Sequence, residues 1–399
     1  MFMVSQMEEL TKEVSCHLKE VIIPFWEKLK DEKLGGYYGF MDRDLQVDQK
    51  AVKGCILNSR ILWFFSNAYT LLGEESLKSY ASHAYQFLKQ AFWDQTNGGV
   101  YWAVDYSGQP VDETKHTYNI AFAIYGLSSY YEASKDQEAL ALAKNLFHTV
   151  ETRCKDDFGY REAFDMQFRE VGNEKLSENG ILAKKTMNTL LHVFEAYTEL
   201  YRVSGEKEVK DRIMWILDLF ARKVYNPSKH RLEVFFDGEM NTLMDLHSLG
   251  HDIEAAWLIR RGVEVIGGEG YREKMYPITK DLVQEVYRHL SEGGGLGEEV
   301  EDNGTKRNYV WWVQAETVVG FWDGWEMDDR KAEYWDAAYQ TWKFILNKIW
   351  DRREGGEWHS EVWQDGSPIG KPEVEPWKCP YHNGRMCFEL MKRSRKLLD

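Results

Sequence analysis

Three strings in this 399-residue sequence set histidines beside groups that could tune them for proton transfer. In HSLGHDIEAAWL, His247, His251 and Glu254 fall at i, i+4 and i+7 and would share one helix face. Two His and a Glu could ligate zinc, but neither an HExxH motif nor a cysteine cluster accompanies them. The alternatives are an acid/base His251 oriented and tuned by Glu254 one turn away, or a capped helix start with surface histidines. In KKTMNTLLHVFEAY, Asn188 and His192 are four apart, beside an apolar side marked by Leu191 and Phe194. That pair is either a satisfied core pair or part of a pocket wall. In EPWKCPYHNGRMCFEL, Pro376 and Pro380 stiffen the approach to a helix that starts near His382. A helix N-terminus disfavours imidazolium, which would help His382 act as a base near neutral pH. Trp377 lies just upstream, where it could cover a ligand.

Smaller signals join these. Arg60 interrupts the apolar helix of VKGCILNSRILWFF, and a buried Arg must be paired or face a pocket. Gln314 and Glu316 sit among Trp311, Trp312 and Trp322. His116, Tyr118 and His359 rank below these, and His17, His83, His148, His230 and His289 read as surface residues.

Such residues need a frame. A turn rich in Asp and Gly leads into alternating aromatic and polar residues, a second turn and a long helical stretch. The pattern starts at Asp31, Trp93, Lys155, Tyr225 and Trp350, with a weaker copy, GGGLGEEVEDNGTKRNY, from Gly293. Period-2 alternation bounded by Gly, Asp and Asn predicts hairpins there. Helical periodicity predicts pairs Ala51–Leu72 with Ser76–Phe92, His116–Glu132 with Glu138–Thr152, and Lys184–Val203 with Val209–Val224. It also predicts Asp245–Val265 with Tyr271–Leu290 and Trp312–Trp325 with Lys331–Trp350. Met7–Leu29 and Cys379–Leu397 could pair to close a circle. The fold class is therefore all-α, six helix pairs in an (α/α)6 barrel with short β-hairpins crowding one end as a cleft; an open α-solenoid is the alternative. No linker or low-complexity tract divides the chain, so residues 1–399 form one domain in this reading.

Composition narrows the function. A net charge of −15 spread along the chain disfavours nucleic acid and anionic membranes. The opening MFMVSQMEELTKEV turns polar too early for a signal peptide, and no apolar run is long enough for a membrane helix. Five cysteines without a CxxC pair suit reduced thiols in the cytoplasm. Sixteen Trp and 22 Tyr either bind sugar rings or fill a wide helical core.

Together, LNSRILWFF, KKTMNTLLHVFEAY, GHDIEAAWL, WWVQAE and WKCPYHNGRMC resemble the N-acylglucosamine 2-epimerase family, from about Phe25 to Met391. The last string is similar to the disaccharide-acting branch rather than the N-acetylglucosamine branch. The resemblance implies reversible inversion at C2 of the reducing-end glucose of β-1,4-linked disaccharides, cellobiose to glucosyl-mannose and lactose to epilactose. It implies His251 and His382 as the two acid/bases, His192 as a helper in proton transfer and ring opening, and Arg60 as the cation facing the reacting oxygens. Glu254 would support His251, and Asn188, Trp377 and Trp311 or Trp312 would contact sugar, with Tyr118 and Glu316 as further substrate contacts. The chain departs from the family's MNTHLH with Leu190, which should point off the pocket if His192 points in. No metal or cofactor is expected, and without a GxxxxGK[ST] string no nucleotide activator is either. The partner expected is a small sugar, with a monomeric or homodimeric protein. A mannose or N-acylglucosamine epimerase, an aldose–ketose isomerase, a hydrolase using two opposed carboxylates and a non-catalytic sugar-binding module are the competing functions.

Overall fold

The computed structural model describes residues 2–176, 180–301, 304–305 and 308–398. Twelve long helices alternate between an inner and an outer ring, as the six predicted pairs require. The inner helices are α2 (Cys55–Leu72), α4 (Thr117–Ser134), α6 (Met187–Ser204), α8 (Leu249–Ile266), α10 (Trp311–Met327) and α12 (His382–Leu398). The outer ones are α1 (Phe2–His17), α3 (Glu75–Phe87), α5 (Gln137–Thr149), α7 (Lys207–Leu219), α9 (Glu269–Arg288) and α11 (Ala332–Phe344). Each inner helix packs on the next, α12 returns to α2, and α1 lies outside α12, which closes the (α/α)6 barrel.

Sequence explains the two rings. Every residue of α2 from Cys55 to Ala68 and of α4 from Thr117 to Tyr130 is buried, because each is covered on all sides. On α5 only a stripe is buried, with Ala139, Ala143 and Leu146 marking it. Most tryptophans fill this core, among them Trp26, Trp257, Trp322, Trp325, Trp335, Trp342 and Trp358.

The hairpins stitch neighbouring repeats together. The two residues before each of α2, α4, α6, α8 and α10 pair antiparallel with the following hairpin: Lys53 with Val104, Lys115 with Phe164, Lys185 with Phe236, His247 with Val300 and Tyr309 with Val362. A bridge between Met41 and Val374 makes the sixth stitch and joins the two ends of the ring. In the first three repeats the stitch carries a Lys–Asp strut, buried in the first two and with a partly exposed Asp156 in the third. Lys53, Lys115 and Lys185 bond Asp31, Asp94 and Asp156 at 2.7, 2.8 and 2.8 Å. The same aspartates cap their turns through backbone amides, as at Thr96 and Asn97 on Asp94. Losing one partner of such a buried pair costs about 3–5 kcal/mol, since the other charge is stranded.

Two expectations change here. Asp245–Ser248 was expected to be helical, but His247 and Ser248 form a strand with Glu299–Val300, so α8 begins at Leu249. His17 is not a surface residue: Trp358 donates to its Nε2 at 2.7 Å, and burial, then Arg352, hold its pKa down at about 4. His83 and His289 are half-buried, whereas His148 and His230 are exposed as expected. The weaker repeat from Gly293 lies partly outside the described residues. No described helix is long and apolar enough to cross a membrane.

Candidate active site

At the hairpin end a cleft of about 390 Å³ opens over the N-termini of the inner helices. Each inner helix delivers to it from its first two turns: Arg60 from α2, Tyr118 from α4, Asn188 and His192 from α6, His251 and Glu254 from α8, Trp311 and Trp312 from α10, and His382 from α12. Trp377 covers one side from the segment before α12. Helix N-termini carry partial positive charge, so a negative charge developing here meets a favourable field.

All three candidate histidines have one nitrogen occupied. His382 Nδ1 lies 2.7 Å from Glu316 Oε1, and His192 Nδ1 lies 2.9 Å from Glu195 Oε2. A carboxylate accepts, so each Nδ1 carries a proton and each Nε2 is left free for the cleft. His251 Nδ1 meets Ser248 Oγ at 2.7 Å. Burial, then repulsion from His192, lowers the His251 pKa to about 3; burial, then Arg385 and Arg60, hold His382 well below its ordinary value. Both are therefore neutral near pH 7. The Trp312 ring lies against both, with centroids 4.9 Å from His251 and 5.4 Å from His382. Gly250 permits this approach, because a Cβ there would come within 2.7 Å of the indole.

Arg60 is buried without a carboxylate partner among the described residues. Its Nη2 donates to Tyr118 Oη at 2.8 Å, and its Nη1 reaches the Trp377 carbonyl at 3.3 Å. The ring of Phe122 lies 4.0 Å from the guanidinium carbon. Its charge is thus turned toward the cleft rather than neutralised. The side-chain oxygen of Asn188 is buried and has no partner among the described residues, as suits an acceptor kept for a ligand. Leu190 packs in the core, away from the cleft, as the helical spacing requires.

Three expectations are corrected. His247 does not share the face of His251 and Glu254; from its strand it bonds Asp252 at 3.0 Å, and no His247–His251–Glu254 ligand set exists. Glu254 does not hold His251: its Oε1 bonds Arg385, and burial, then Glu316, push its carboxyl up to about 7. Glu316 does not line the cleft. It is fully buried behind His382 and also accepts from Trp257 and Arg385, at 2.9 and 2.6 Å. Gln314 is a satisfied core amide bonded to Leu296, and His116 caps α4. His359 lies in a neighbouring depression with Asp351 and Glu373, where Arg353 pairs with both carboxylates.

Sequence reading missed Glu195, Tyr381 and Arg385, although all three lie inside the quoted strings. Glu195 follows His192 by three residues and Arg385 follows His382 by three, which was a legible spacing. Lys175, Leu176, Ser360 and Lys378 also line the cleft, brought there by loops without a local signal.

Glu254, Glu316 and His382 bring oxygen and nitrogen atoms within 4.8 Å of one another, a cluster that could ligate a cation. The Arg385 guanidinium already occupies that role, bonded to both carboxylates. Activity is therefore expected to survive dialysis against EDTA. Loss on chelation with recovery on zinc would show that a metal displaces this arginine.

The sequence pattern of the family described as N-acylglucosamine 2-epimerase (GlcNAc 2-epimerase) matches residues 36–384. A cellobiose 2-epimerase of Ruminococcus albus is 49% identical over 386 residues, covering 96% of this chain and 99% of its own. Among solved structures, a sugar epimerase from a ruminal bacterium aligns with a TM-score of 0.94 at 48% identity, over 96% of this chain and 99% of its own. Cellobiose 2-epimerase from Bacillus thermoamylovorans B4167 aligns with a TM-score of 0.93 at 41% identity, over 97% and 100%.

Proposed function

Since the chain belongs to the N-acylglucosamine 2-epimerase family, we propose that it inverts C2 of the reducing-end glucose of β-1,4-linked disaccharides, with His251 and His382 as the exchanging acid/base pair. It is an isomerase, a carbohydrate epimerase. The observation that supports the assignment is the pair of neutral imidazoles on one cleft, His382 buried and His251 half-buried, both against Trp312, beside an arginine without a carboxylate partner among the described residues.

The chemistry follows from what a closed sugar lacks. A hemiacetal has no acidic C2 hydrogen, so the ring must open first. His192, entering the cycle with a proton on Nε2 as well as on the Nδ1 that bonds Glu195, gives the Nε2 proton to O5. One of His251 and His382 takes the proton from O1 and becomes the imidazolium. The other removes the C2 hydrogen, and the electron pair moves into the enediolate, whose oxyanion Arg60 and the helix N-termini stabilise. The charged imidazole then returns its proton to the opposite face of C2. Ring closure sends the O5 proton back to His192 and the remaining imidazolium proton to O1, so every group ends as it began. Returning the proton to C1 instead gives the ketose, a side reaction of the same site.

Hydrolysis fits less well, because Glu254 and Glu316 share one guanidinium instead of opposing each other across the cleft. We place the enzyme in the cytoplasm, as a monomer or homodimer without a nucleic-acid partner. Five free thiols and the charge of −15 support this. Incubation with cellobiose, lactose, mannose and N-acetylglucosamine, with the products separated, tests the substrate class. Glucosyl-mannose and epilactose are expected; conversion of the monosaccharides alone, or release of free glucose, would overturn it.

A further inference from the structure

Beneath the cleft, His192 and His382 are joined by one continuous set of buried contacts. His192 leans on Glu195, and His382 on Glu316. Glu195 and Glu316 stand on different inner helices, and Arg385, on a third, reaches both. Its Nη1 donates to Glu195 and to Tyr381, and its Nη2 donates to Glu316 at 2.6 Å and to Glu254. Tyr381 donates in turn to Glu195. We propose that Arg385 is the positioning residue that sets both histidines at once, by sharing one guanidinium among the carboxylates of Glu195, Glu254 and Glu316. This rests on the epimerase reading above.

Charge and shape both argue for it. Three carboxylates are packed together in the interior, and Arg385 is the one Lys or Arg ion-paired to any of them among the described residues. Without it, like charges in a low-dielectric site would drive the carboxylates apart or protonate them. Either change releases an Nδ1–H, and the imidazole is then free to change tautomer or turn. Burial alone would push the Glu195 carboxyl up, but Arg385, then His192, bring it down to about 2, so it stays an acceptor. Arg385 is 1% exposed, does not line the cleft, and stacks between Tyr381 and Trp257 at 4.3 and 4.9 Å. It therefore acts through the histidines and not on the sugar. A lysine could keep the charge, yet it has no planar fork to reach donors in two directions.

The test pairs Arg385→Lys with Tyr381→Phe, which removes one bridging hydroxyl and no charge. We expect Arg385→Lys to lower kcat by about 100-fold, as a misplacement of roughly 1 Å does. KM should stay within about threefold, since the cleft contacts are intact. Tyr381→Phe should lower kcat by about tenfold, again with KM unchanged. Histidine-selective nitrogen NMR, assigned with His192→Asn and His382→Asn, should show a protonated Nδ1 at both positions in the wild type and mixed Nδ1 and Nε2 protonation in Arg385→Lys. Near-native kcat in folded Arg385→Lys, or unchanged tautomers at both histidines, would overturn the proposal. If Arg385→Lys does not fold, unchanged kcat in Tyr381→Phe overturns it. A wild type that converts neither disaccharide sinks the epimerase reading, while the tautomer comparison still decides the role of Arg385.

Discussion

Replacing either His251 or His382 with Asn should lower net epimerisation by roughly 1,000-fold or more, the scale of a lost acid/base group. Inversion needs both faces of C2, so neither variant can complete it. Half of the reaction should nevertheless persist. In deuterated water the remaining imidazole can still exchange the C2 hydrogen of the epimer whose face it serves, without inverting it. The two variants should then show opposite preferences between glucose-type and mannose-type substrates, read as deuterium at C2 by NMR. In the wild type the product carries deuterium at C2, because the returned proton comes from the exchangeable O1 hydroxyl, and at C1 only through isomerisation. A variant epimerising at a near-native rate would remove its histidine from the pair. Loss of activity in both variants without any exchange would show that the missing histidine is indispensable for taking the O1 proton, and would remove the separate C2 role of its partner.

Arg60→Lys should cost about 100- to 1,000-fold in kcat with a much smaller change in KM, as for the loss of an oxyanion donor. Arg60 has its Nη2 on Tyr118 and its Nη1 on the Trp377 carbonyl, and the described structure gives it no neutralising carboxylate. Lysine retains the charge but supplies it at a point, whereas an enediolate spreads its charge over O1 and O2. A planar fork meets both oxygens. The split matters as much as the size: the closed sugar carries no such charge, so ground-state binding changes little. Steady-state kinetics on cellobiose would check it, and near wild-type turnover would take Arg60 out of the site.

What could be read from sequence was whatever the repeat encodes locally. Each hairpin announces itself by an Asp and a glycine turn, inner helices such as α2, α4 and α10 by an apolar run, and the cleft residues by polar interruptions such as Arg60, Asn188 and His192. Contacts made across the ring were not legible. His247 was assigned to a helix face because the spacing allowed it, while the strand pairing that removes it comes from Glu299 and Val300. His17 looked exposed because the rings around it belong to Trp342, Trp350 and Trp358 at the far end of the chain. Glu316 reads from sequence as a sugar contact among tryptophans, and only the return of α12 puts His382 and Arg385 in front of it.

The closure of the ring by α12 also bears on how the protein is made. Synthesis runs from N to C, so Glu195, Glu254 and Glu316 leave the ribosome before the guanidinium that neutralises them. Until then, three inner helices carry acids aimed at a common centre without the cation they share in the closed ring. Met41 likewise waits at the opposite end of the chain for Val374. A nascent chain can therefore stack its repeats in order, yet it stays an open arc without a working site. The same helix that completes the circle brings in His382, so assembly and the onset of catalysis coincide in one docking event.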